Sequence, residues 1–375
     1  MNTIPPAHLE CWMRNYYFNT NIDIGSSSVE SFSLADIRQL TDLTQKELDS
    51  VVFNDSSSYG SFDLRKEIAF RWGNENPEQV MVTHGSSEAI YLIMSTLLNA
   101  NDEVVVLDPC YQQLYSIAES IGCKLKPWRL RPEYNFVPNI EEVKSLITPN
   151  TRMVVVNFPH NPTGASLTLE EQQELINAVA EVGAYLVWDA AFAELVYKDS
   201  PLPNPNLWYK NSISLGTLSK AYGLPGLRFG WCIASSNILE RFVYRRDYIT
   251  LHLSPLVELI AQRVIHKVDS FLNIRLHQAH TNLKILSEWI YRHKEFVDWA
   301  YPQGGVCGFL RLHTISNSEA FCRYLANVYG VLLVPGNCFN YDNYVRLGFG
   351  SSTPQLIEGL NRLSKALVNY QAKPL

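Results

Sequence analysis

The segment at positions 214–231 carries residue types that suit carbonyl chemistry. It reads SLGTLSKAYGLPGLRFGW, and its lysine, Lys220, stands among small, hydroxyl and apolar residues. A lysine amine held away from water and near another cation has a lowered pKa and can act as a neutral nucleophile. Thr217 and Ser219 precede it and Arg228 follows eight positions on, so hydroxyl and guanidinium donors for an anion stand nearby. The segment predicts a site for an aldehyde that also carries a phosphate, with Lys220 forming a Schiff base.

Four further segments place polar or aromatic residues directly after short apolar runs. Ser86 and Ser87, in GSSEA after QVMVTH, could begin a helix whose free N–H groups hold a phosphate, or simply cap it. Tyr111, after EVVVLD, could stack on a flat ring or be an ordinary core tyrosine. Asn161, in NPTG after MVVVNF, is fixed by a rigid turn, as any Asn-Pro turn would fix it. Asp189 ends AYLVWD, and a carboxylate there needs a cation such as a protonated pyridine nitrogen, unless it caps a helix.

Taken together, these residues supply an amine, an anion cradle, a stacking ring and a carboxylate. Each follows a predicted strand, and they occur in one order along the chain. The combination predicts a pocket for pyridoxal 5′-phosphate (PLP).

The elements that must position these residues alternate along the chain. Short apolar runs are separated by helical patterns such as TLEEQQELINAVAEVG, which predicts a mostly parallel sheet buried on both faces. Ligands of such sheets bind beyond the carboxyl ends of the strands, where the polar residues stand. The stretch 253–292 reads as one long helix, and a smaller α+β lobe follows it. The predicted strands are 79–84, 103–108, 153–158, 184–189, 212–217 and 230–235.

Composition narrows the class of protein. The 375 residues carry 31 Lys and Arg against 37 Asp and Glu, so the net charge is −6, which argues against nucleic-acid and membrane partners. The seven cysteines form no CxxC pair and predict reduced thiols in a cytoplasmic protein. We find no signal-peptide pattern, no run of eighteen apolar residues and no metal-ligand motif.

The order GSSEA, PCY, NPTG, WD, TLSK, LPGLRFGW and RLGFG resembles the class I/II aminotransferases, PLP-dependent enzymes of fold type I. GSFDLRKEIA (60–69) and PGNCF (335–339) are similar to further segments of that family. The resemblance covers almost the whole chain. It implies an α/β fold with a large domain, whose mostly parallel seven-stranded sheet is sandwiched by helices, and a smaller α+β domain. The implied parts are an N-terminal arm with part of the small domain (1–45), the large PLP-binding domain (46–270) and the small domain (271–375).

The resemblance also implies a role for each matching residue. Lys220 would hold PLP and carry protons, and Asp189 would pair with the pyridine nitrogen. Asn161 would hydrogen-bond the ring O3′, and Tyr111 would stack on the ring. Arg346, in RLGFG, would clamp the substrate α-carboxylate, and the family builds its sites at the interface of a homodimer. The implied phosphate ligands are Ser86, Ser87, Thr217, Ser219 and Arg228.

Two positions depart from the family pattern. Phe192 stands where the family's D-x-x-Y segment has a tyrosine that donates to O3′. Asp55 or Ser56 stands where the family tends to carry a tyrosine that reaches the neighbouring subunit's phosphate, and Tyr59 is too close to Gly60 to replace it. Both departures weaken the case for plain transamination without excluding it.

Several segments resemble a narrower branch, among them HLECWMRNYYF, VVVNFPHNPTGA, WDAAFAELV and RDYITLHLSPLVE. This branch includes capreomycidine synthase of viomycin-type pathways and the cyclase that forms L-enduracididine in guanitoxin biosynthesis. It implies a dehydrating cyclase for a hydroxylated L-arginine in specialised-metabolite or toxin synthesis. The favoured substrate is 4-hydroxy-L-arginine, giving L-enduracididine, and 3-hydroxyarginine, giving capreomycidine, is next. An ordinary aminotransferase is the alternative, and a PLP-binding regulator would need a DNA-binding domain for which the arm leaves no room.

A guanidinium substrate requires an acidic or hydrogen-bonding cradle. Glu10 in the arm is our candidate, with Ser27 and Ser28 nearby in sequence, although a solvated carboxylate would look the same. His84, beside the phosphate segment, could assist the loss of hydroxide, but a structural neighbour of the cofactor is the simpler interpretation. His160 is a weaker candidate of the same kind.

Overall fold

The N-terminal segment lies against the C-terminal part of the chain in the computed structural model, which describes residues 3–198 and 200–371. Its strand at Ile22–Asp23 pairs in parallel with residues 331–332, and Trp12 Nε1 donates to the carbonyl oxygen of Leu333 over 2.8 Å. The segment therefore packs on the small lobe. Its elements are α1 (His8–Tyr16), β1 (Ile22–Asp23), α2 (Leu34–Thr41) and α3 (Gln45–Asp49).

A seven-stranded sheet forms the large lobe. Its strands are β2 (Val80–Thr83), β3 (Glu103–Asp108), β4 (Lys124–Arg129), β5 (Thr151–Asn157), β6 (Tyr185–Asp189), β7 (Ser212–Thr217) and β8 (Gly230–Ile233). They lie in the order β2-β8-β7-β6-β5-β3-β4, and every pair is parallel except the two that β8 makes. All residues of β7 are buried. Since successive side chains of a strand point to opposite faces, both faces of the sheet are covered.

Helices follow the strands of this lobe in βα units. Capping explains where several of them begin. At α8, the Thr168 side chain accepts from the Glu171 N–H, and the Glu171 side chain accepts from the Thr168 N–H. The helices are α4 (Phe62–Trp72), α5 (Gly85–Leu97), α6 (Gln113–Ile121), α7 (Ile140–Leu146), α8 (Leu169–Glu181), α9 (Ser236–Arg246) and α10 (Pro255–His266), with short 3₁₀ turns at Pro77–Gln79, Pro132–Tyr134, Pro205–Leu207 and Pro225–Leu227.

The small lobe is α+β. Its four-stranded antiparallel sheet has the order β12 (Val334–Pro335), β13 (Tyr344–Gly348), β10 (Cys307–Leu312) and β9 (Val297–Trp299), and β11 (Val331–Leu332) pairs with β1. The single helix expected over 253–292 is wrong: α10 ends at His266 and α11 begins at Val268, because Lys267 leaves helical geometry at φ −117° and ψ 24°. The elements are α11 (Val268–Arg292), β9 (Val297–Trp299), β10 (Cys307–Leu312), α12 (Ser318–Tyr329), β11 (Val331–Leu332), β12 (Val334–Pro335), a 3₁₀ turn (Gly336–Phe339), β13 (Tyr344–Gly348) and α13 (Thr353–Gln371).

The predicted α/β fold with a mostly parallel seven-stranded sheet and a smaller α+β lobe is confirmed. The division at 45/46 and 270/271 stays a prediction, and residues 372–375 of its last part lie outside the described residues. Within the described ranges, no helix is long and apolar enough to cross a membrane.

Candidate active site

One cleft of about 1020 Å³ lies where the carboxyl ends of the parallel strands meet the arm and the small lobe. Register explains the convergence on the large lobe: Asn157 at the end of β5 pairs with Asp189 at the end of β6, and Asp189 pairs with Leu215 of β7. The cleft collects nearly every site residue singled out from the sequence. Those lining it are Glu10, Ser27, Ser28, Ser86, Ser87, Tyr111, Asn161, Asp189, Thr217, Ser219, Lys220, Arg228 and Arg346.

The Lys220 amine faces two arm hydroxyls. Its Nζ lies 3.2 Å from Ser27 Oγ and 3.3 Å from Ser28 Oγ. Burial, and then the charge of Arg346, lower the pKa of Lys220 to about 8. Near physiological pH an amine with this pKa has a neutral fraction of roughly a tenth to a fifth, against about a thousandth for an ordinary lysine. The neutral form is the state that a nucleophile or a proton acceptor requires.

Asp189 is a buried carboxylate without a charged hydrogen-bond partner among the described residues. Its Oδ1 accepts from the N–H of Ala191 over 3.0 Å. Burial raises its pKa to about 6, against the smaller opposing effects of that hydrogen bond and the charge of Lys220. A buried carboxylate of this kind is stabilised by a cation, and a protonated pyridine nitrogen would supply one.

The N-terminus of α5 and Arg228 form an anion cradle. Gly85 has a φ of +71°, and a Cβ on it would lie 2.5 Å from Nη2 of Arg228. Arg228 Nη1 also donates to Ser219 Oγ over 3.4 Å, and Thr217 Oγ1 is 2.9 Å from the same Ser219 oxygen. The cradle combines helix N–H groups, hydroxyls and a guanidinium, and only glycine leaves its space open. This donor set fits the phosphate of PLP.

Arg346 is buried on β13 and reaches across to the large lobe. Its Nε and Nη2 donate to the carbonyl oxygen of Gly25 over 3.2 and 2.9 Å, and its Nη1 donates to Asn161 Oδ1 over 3.2 Å. Burial lowers its pKa, yet an arginine remains charged at any ordinary pH. The fixed guanidinium suits a carboxylate ligand.

Asn157 was missed by the sequence reasoning. Its Oδ1 accepts from the N–H of Asn161 over 2.9 Å, and its Nδ2 donates to the carbonyl oxygen of Asp189 over 3.1 Å. It thereby joins the two strand ends that carry Asn161 and Asp189. The available signal was a polar residue near the end of the apolar run MVVVNF.

Glu10 is tied to the large lobe through Tyr111, whose hydroxyl donates to Glu10 Oε1 over 2.9 Å. Gln112, also missed from the sequence, holds the same part of the arm. Its Oε1 accepts from the N–H of His8 over 2.8 Å, and its Nε2 donates to the carbonyl oxygen of Pro6 over 3.1 Å. Glu10 is an exposed residue, and these bonds hold its carboxylate at the cleft.

Neither candidate histidine is among the described residues that line the cleft. His84 Nδ1 lies 3.1 Å from Oε2 of Glu88, whose Oε1 accepts from Arg246 Nε over 3.1 Å. His160 bridges Thr163 Oγ1 and the carbonyl oxygen of Pro109 at 2.8 and 2.7 Å, and burial lowers its pKa to about 4. Assistance by His84 in the loss of hydroxide from a bound substrate is therefore not supported by this geometry, because its ring contacts Glu88.

Phe192 lies where the family's tyrosine was expected to donate. Its ring centroid is 5.8 Å from Lys220 Nζ, and it lines the cleft. It offers an apolar surface there and no hydroxyl donor. No group of His, Cys, Asp and Glu within 3–198 and 200–371 could hold a metal ion.

The fold and the cleft together define a PLP-dependent enzyme. The chain belongs to the aminotransferase class I and II family, whose model matches residues 27–363. This match confirms the family, the enzyme class and the cofactor predicted from the sequence.

Among curated relatives, the capreomycidine synthase of Streptomyces vinaceus is 40% identical over 366 residues, which are 97% of this chain and 94% of that protein. Among solved structures, the PLP-dependent cyclase OrfR in complex with Au has a TM-score of 0.93 and 38% identity, with 99% of both chains covered. A PLP-dependent aminotransferase from Streptococcus suis has a TM-score of 0.93 and 31% identity, covering 98% of this chain and 99% of that one. The chain is therefore similar to a capreomycidine synthase, to a PLP-dependent cyclase and to a PLP-dependent aminotransferase.

Proposed function

We propose that the enzyme is a dehydrating cyclase that converts a hydroxylated L-arginine into a cyclic arginine derivative. The favoured conversion is 4-hydroxy-L-arginine to L-enduracididine, and 3-hydroxyarginine to capreomycidine is next. The observation that carries the proposal is the presence in one cleft of a buried arginine, Arg346, and an anchored carboxylate, Glu10, together with the amine of Lys220. An arginine-type substrate has a carboxylate at one end and a guanidinium at the other. Similarity to a capreomycidine synthase and a PLP-dependent cyclase supports the same conclusion.

The roles proposed for the cleft residues follow their chemistry. Arg346 holds the substrate α-carboxylate, and Glu10 accepts the guanidinium, with Ser27 and Ser28 placing hydroxyls beside Lys220. PLP, when bound, supplies an electron sink for the charge that develops at the substrate Cα. The residues proposed to hold it are Lys220, Asp189, Asn161, Tyr111, Ser86, Ser87, Thr217, Ser219 and Arg228.

The amine of Lys220 is the proposed acid and base throughout. It removes the proton from Cα, and with a 4-hydroxy substrate it also removes one from Cβ. The electron pair left at Cβ expels hydroxide from Cγ, and a proton makes it water. A terminal guanidine nitrogen then bonds to Cγ and loses its proton, and the carbon skeleton recovers the protons removed. The net change is loss of one water and closure of a five-membered ring.

A hydroxyl on Cβ leads to the other ring size. The pair left at Cα expels hydroxide from Cβ directly, and the same guanidine nitrogen closes a six-membered ring there. Neither route consumes a 2-oxo acid. Phe192 supports this assignment, because its apolar ring stands where the aminotransferase pattern has a tyrosine.

The test is mass analysis of the holoenzyme with 3-hydroxy- and 4-hydroxy-L-arginine separately, without a 2-oxo acid. We expect catalytic loss of one water from one of them. The substrate that reacts identifies the size of the ring that is formed. Lys220→Ala should abolish it, whereas Lys210→Ala, at an exposed lysine, should not. Absence of water loss from both substrates would overturn the proposal.

The second candidate is an ordinary amino acid aminotransferase. It is favoured by the similarity to the Streptococcus suis aminotransferase. In that case, amino transfer would appear in the same assay only after a 2-oxo acid is added.

We also propose a cytoplasmic homodimer with its sites at the interface, in a specialised-metabolite or toxin pathway. Free thiols at all seven cysteines fit a reducing compartment. Exposed apolar side chains such as Phe53 and Tyr248 support a partner surface.

A further inference from the structure

We propose that the hydroxyl of Tyr111 is a positioning group for substrate selection. It holds Glu10 in the orientation in which the carboxylate binds the guanidinium of the substrate. The inference rests on the proposed function, because it assigns a role within the same site. It gives Tyr111 a second function beyond the stacking of its ring.

The contact itself is specific. The hydroxyl of Tyr111 donates to Oε1 of Glu10 over 2.9 Å, across 101 positions of the sequence. Burial, and then the charge of Glu10, raise the pKa of Tyr111, so the phenol stays protonated and can only donate to that carboxylate. One oxygen of Glu10 is thereby occupied, and Oε2, which bonds none of the residues that the structure describes, is available to a ligand.

The arm around Glu10 is held in register with Tyr111. Gln112, the next residue, bonds the N–H of His8 and the carbonyl oxygen of Pro6. Further along α1, Trp12 Nε1 donates to the carbonyl oxygen of Leu333 on the small lobe. α1 is therefore anchored at its first residue and at its middle, and the Glu10 side chain between them is the part whose orientation depends on Tyr111.

The charges in the cleft give this orientation its consequence. The charge of Glu10 is among the influences on the pKa values of both Lys220 and Arg346, so all three charged groups lie within electrostatic reach. A Glu10 released from Tyr111 could turn toward Arg346, where it would compete with the substrate carboxylate. Held by Tyr111, it presents its charge to the other end of the ligand.

The experiment compares the affinity of the holoenzyme for L-arginine and for L-citrulline, its neutral isostere, by absorbance titration of the bound cofactor. Wild type should favour arginine. Tyr111→Phe keeps the ring but loses the donor, and we expect its preference to fall by about tenfold, the usual size for a hydrogen bond to a charged group. Tyr91→Phe is the control, because this tyrosine lines the same cleft and its hydroxyl bonds nothing among the described residues.

A double variant separates positioning from general damage. Glu10→Gln should lose the preference, and adding Tyr111→Phe to it should cost nothing further, since the hydroxyl acts through Glu10. Equal preference in wild type and Tyr111→Phe would overturn the inference while leaving the proposed function intact. No arginine preference in wild type would instead overturn the arginine substrate class, and with it this inference.

Discussion

At the residue scale, the reactivity of the cleft depends on how few charges surround Lys220. Among the described residues its amine contacts two serine hydroxyls and no carboxylate, and the guanidinium of Arg346 lies within electrostatic reach. A lysine paired with an acid would have a raised pKa and would remain an ammonium. Here burial and a like charge act together, so the amine is prepared to lose its proton before any ligand arrives.

This arrangement predicts how cofactor capture depends on pH. The neutral amine reacts with an aldehyde, and its fraction rises as pH increases through the pKa of about 8. The rate at which PLP binds covalently to cofactor-free enzyme should therefore rise through pH 8 and level off above about pH 9. Stopped-flow absorbance measures this rate directly.

A variant identifies the cause of the low pKa. Arg346→Gln removes the like charge, so the rise should move to higher pH. Arg311→Gln, at an exposed position on β10, should leave it unchanged. A wild-type rate that keeps rising toward pH 10.4, the ordinary lysine value, would contradict the prediction.

The chemically distinctive residues could be found from the sequence, but their mutual contacts could not. Lys220 follows β7, Asp189 ends β6 and Arg228 precedes β8, and the types of these residues limit the chemistry. The bond from Tyr111 to Glu10 spans 101 positions, and the contact of Lys220 with Ser27 spans 193. No local pattern encodes such pairs, because they depend on how the arm crosses the molecule.

At the element scale, the strands that carry the site were predicted closely because they are buried on both faces. The runs at 103–108 and 212–217 coincide with β3 and β7. The edge strand β4 was not predicted, since KLKPWR contains a proline and mixes charged with apolar residues. Proline is tolerated in edge strands, where one side of the ladder has no partner.

The turn into α5 keeps the anion cradle open for the phosphate of PLP. Gly85→Ala places a methyl group 2.5 Å from Arg228 Nη2 on a backbone with φ of +71°. We expect the guanidinium to be displaced and the dissociation constant for PLP to rise by about tenfold or more, equivalent to about 1.4 kcal/mol. Equilibrium titration by cofactor fluorescence would measure the change.

Gly183→Ala supplies the matched control. Gly183 has a similar φ of +70°, but a Cβ on it would meet nothing within 4 Å. Both variants therefore lose about 1 kcal/mol of stability from the unfavourable backbone conformation. Only Gly85→Ala should weaken PLP binding, and equal affinities in the two variants would show that the cradle does not depend on Arg228.

At the scale of the whole molecule, the site is assembled from three distant parts of the chain. The arm contributes Glu10 and the serines, the large lobe Lys220, and the small lobe Arg346. Arg346 joins all three, since it bonds Gly25 of the arm and Asn161 of the large lobe. Folding of the whole chain is therefore a condition for binding substrate.

The exposed apolar side chains near the large lobe support the proposed homodimer. Phe53 is 72% exposed and Tyr248 91% exposed, and their segments are joined by His252 Nε2, which lies 3.1 Å from Asp55 Oδ1. A surface of this composition is costly to leave in water. The same region carries the position where the family pattern has a residue reaching the neighbouring subunit's phosphate.

The last prediction follows from that surface. Wild-type enzyme should sediment as a dimer, and Phe53→Asp and Tyr248→Asp should each shift it toward monomer, because a buried charge without a partner opposes association. If the sites lie at the interface, the monomers should also retain less PLP. Tyr291→Asp is the control, since Tyr291 is 75% exposed on α11 and should leave sedimentation unchanged. A wild-type enzyme that sediments as a monomer, binds PLP tightly and turns over substrate would show that each chain forms a complete site by itself.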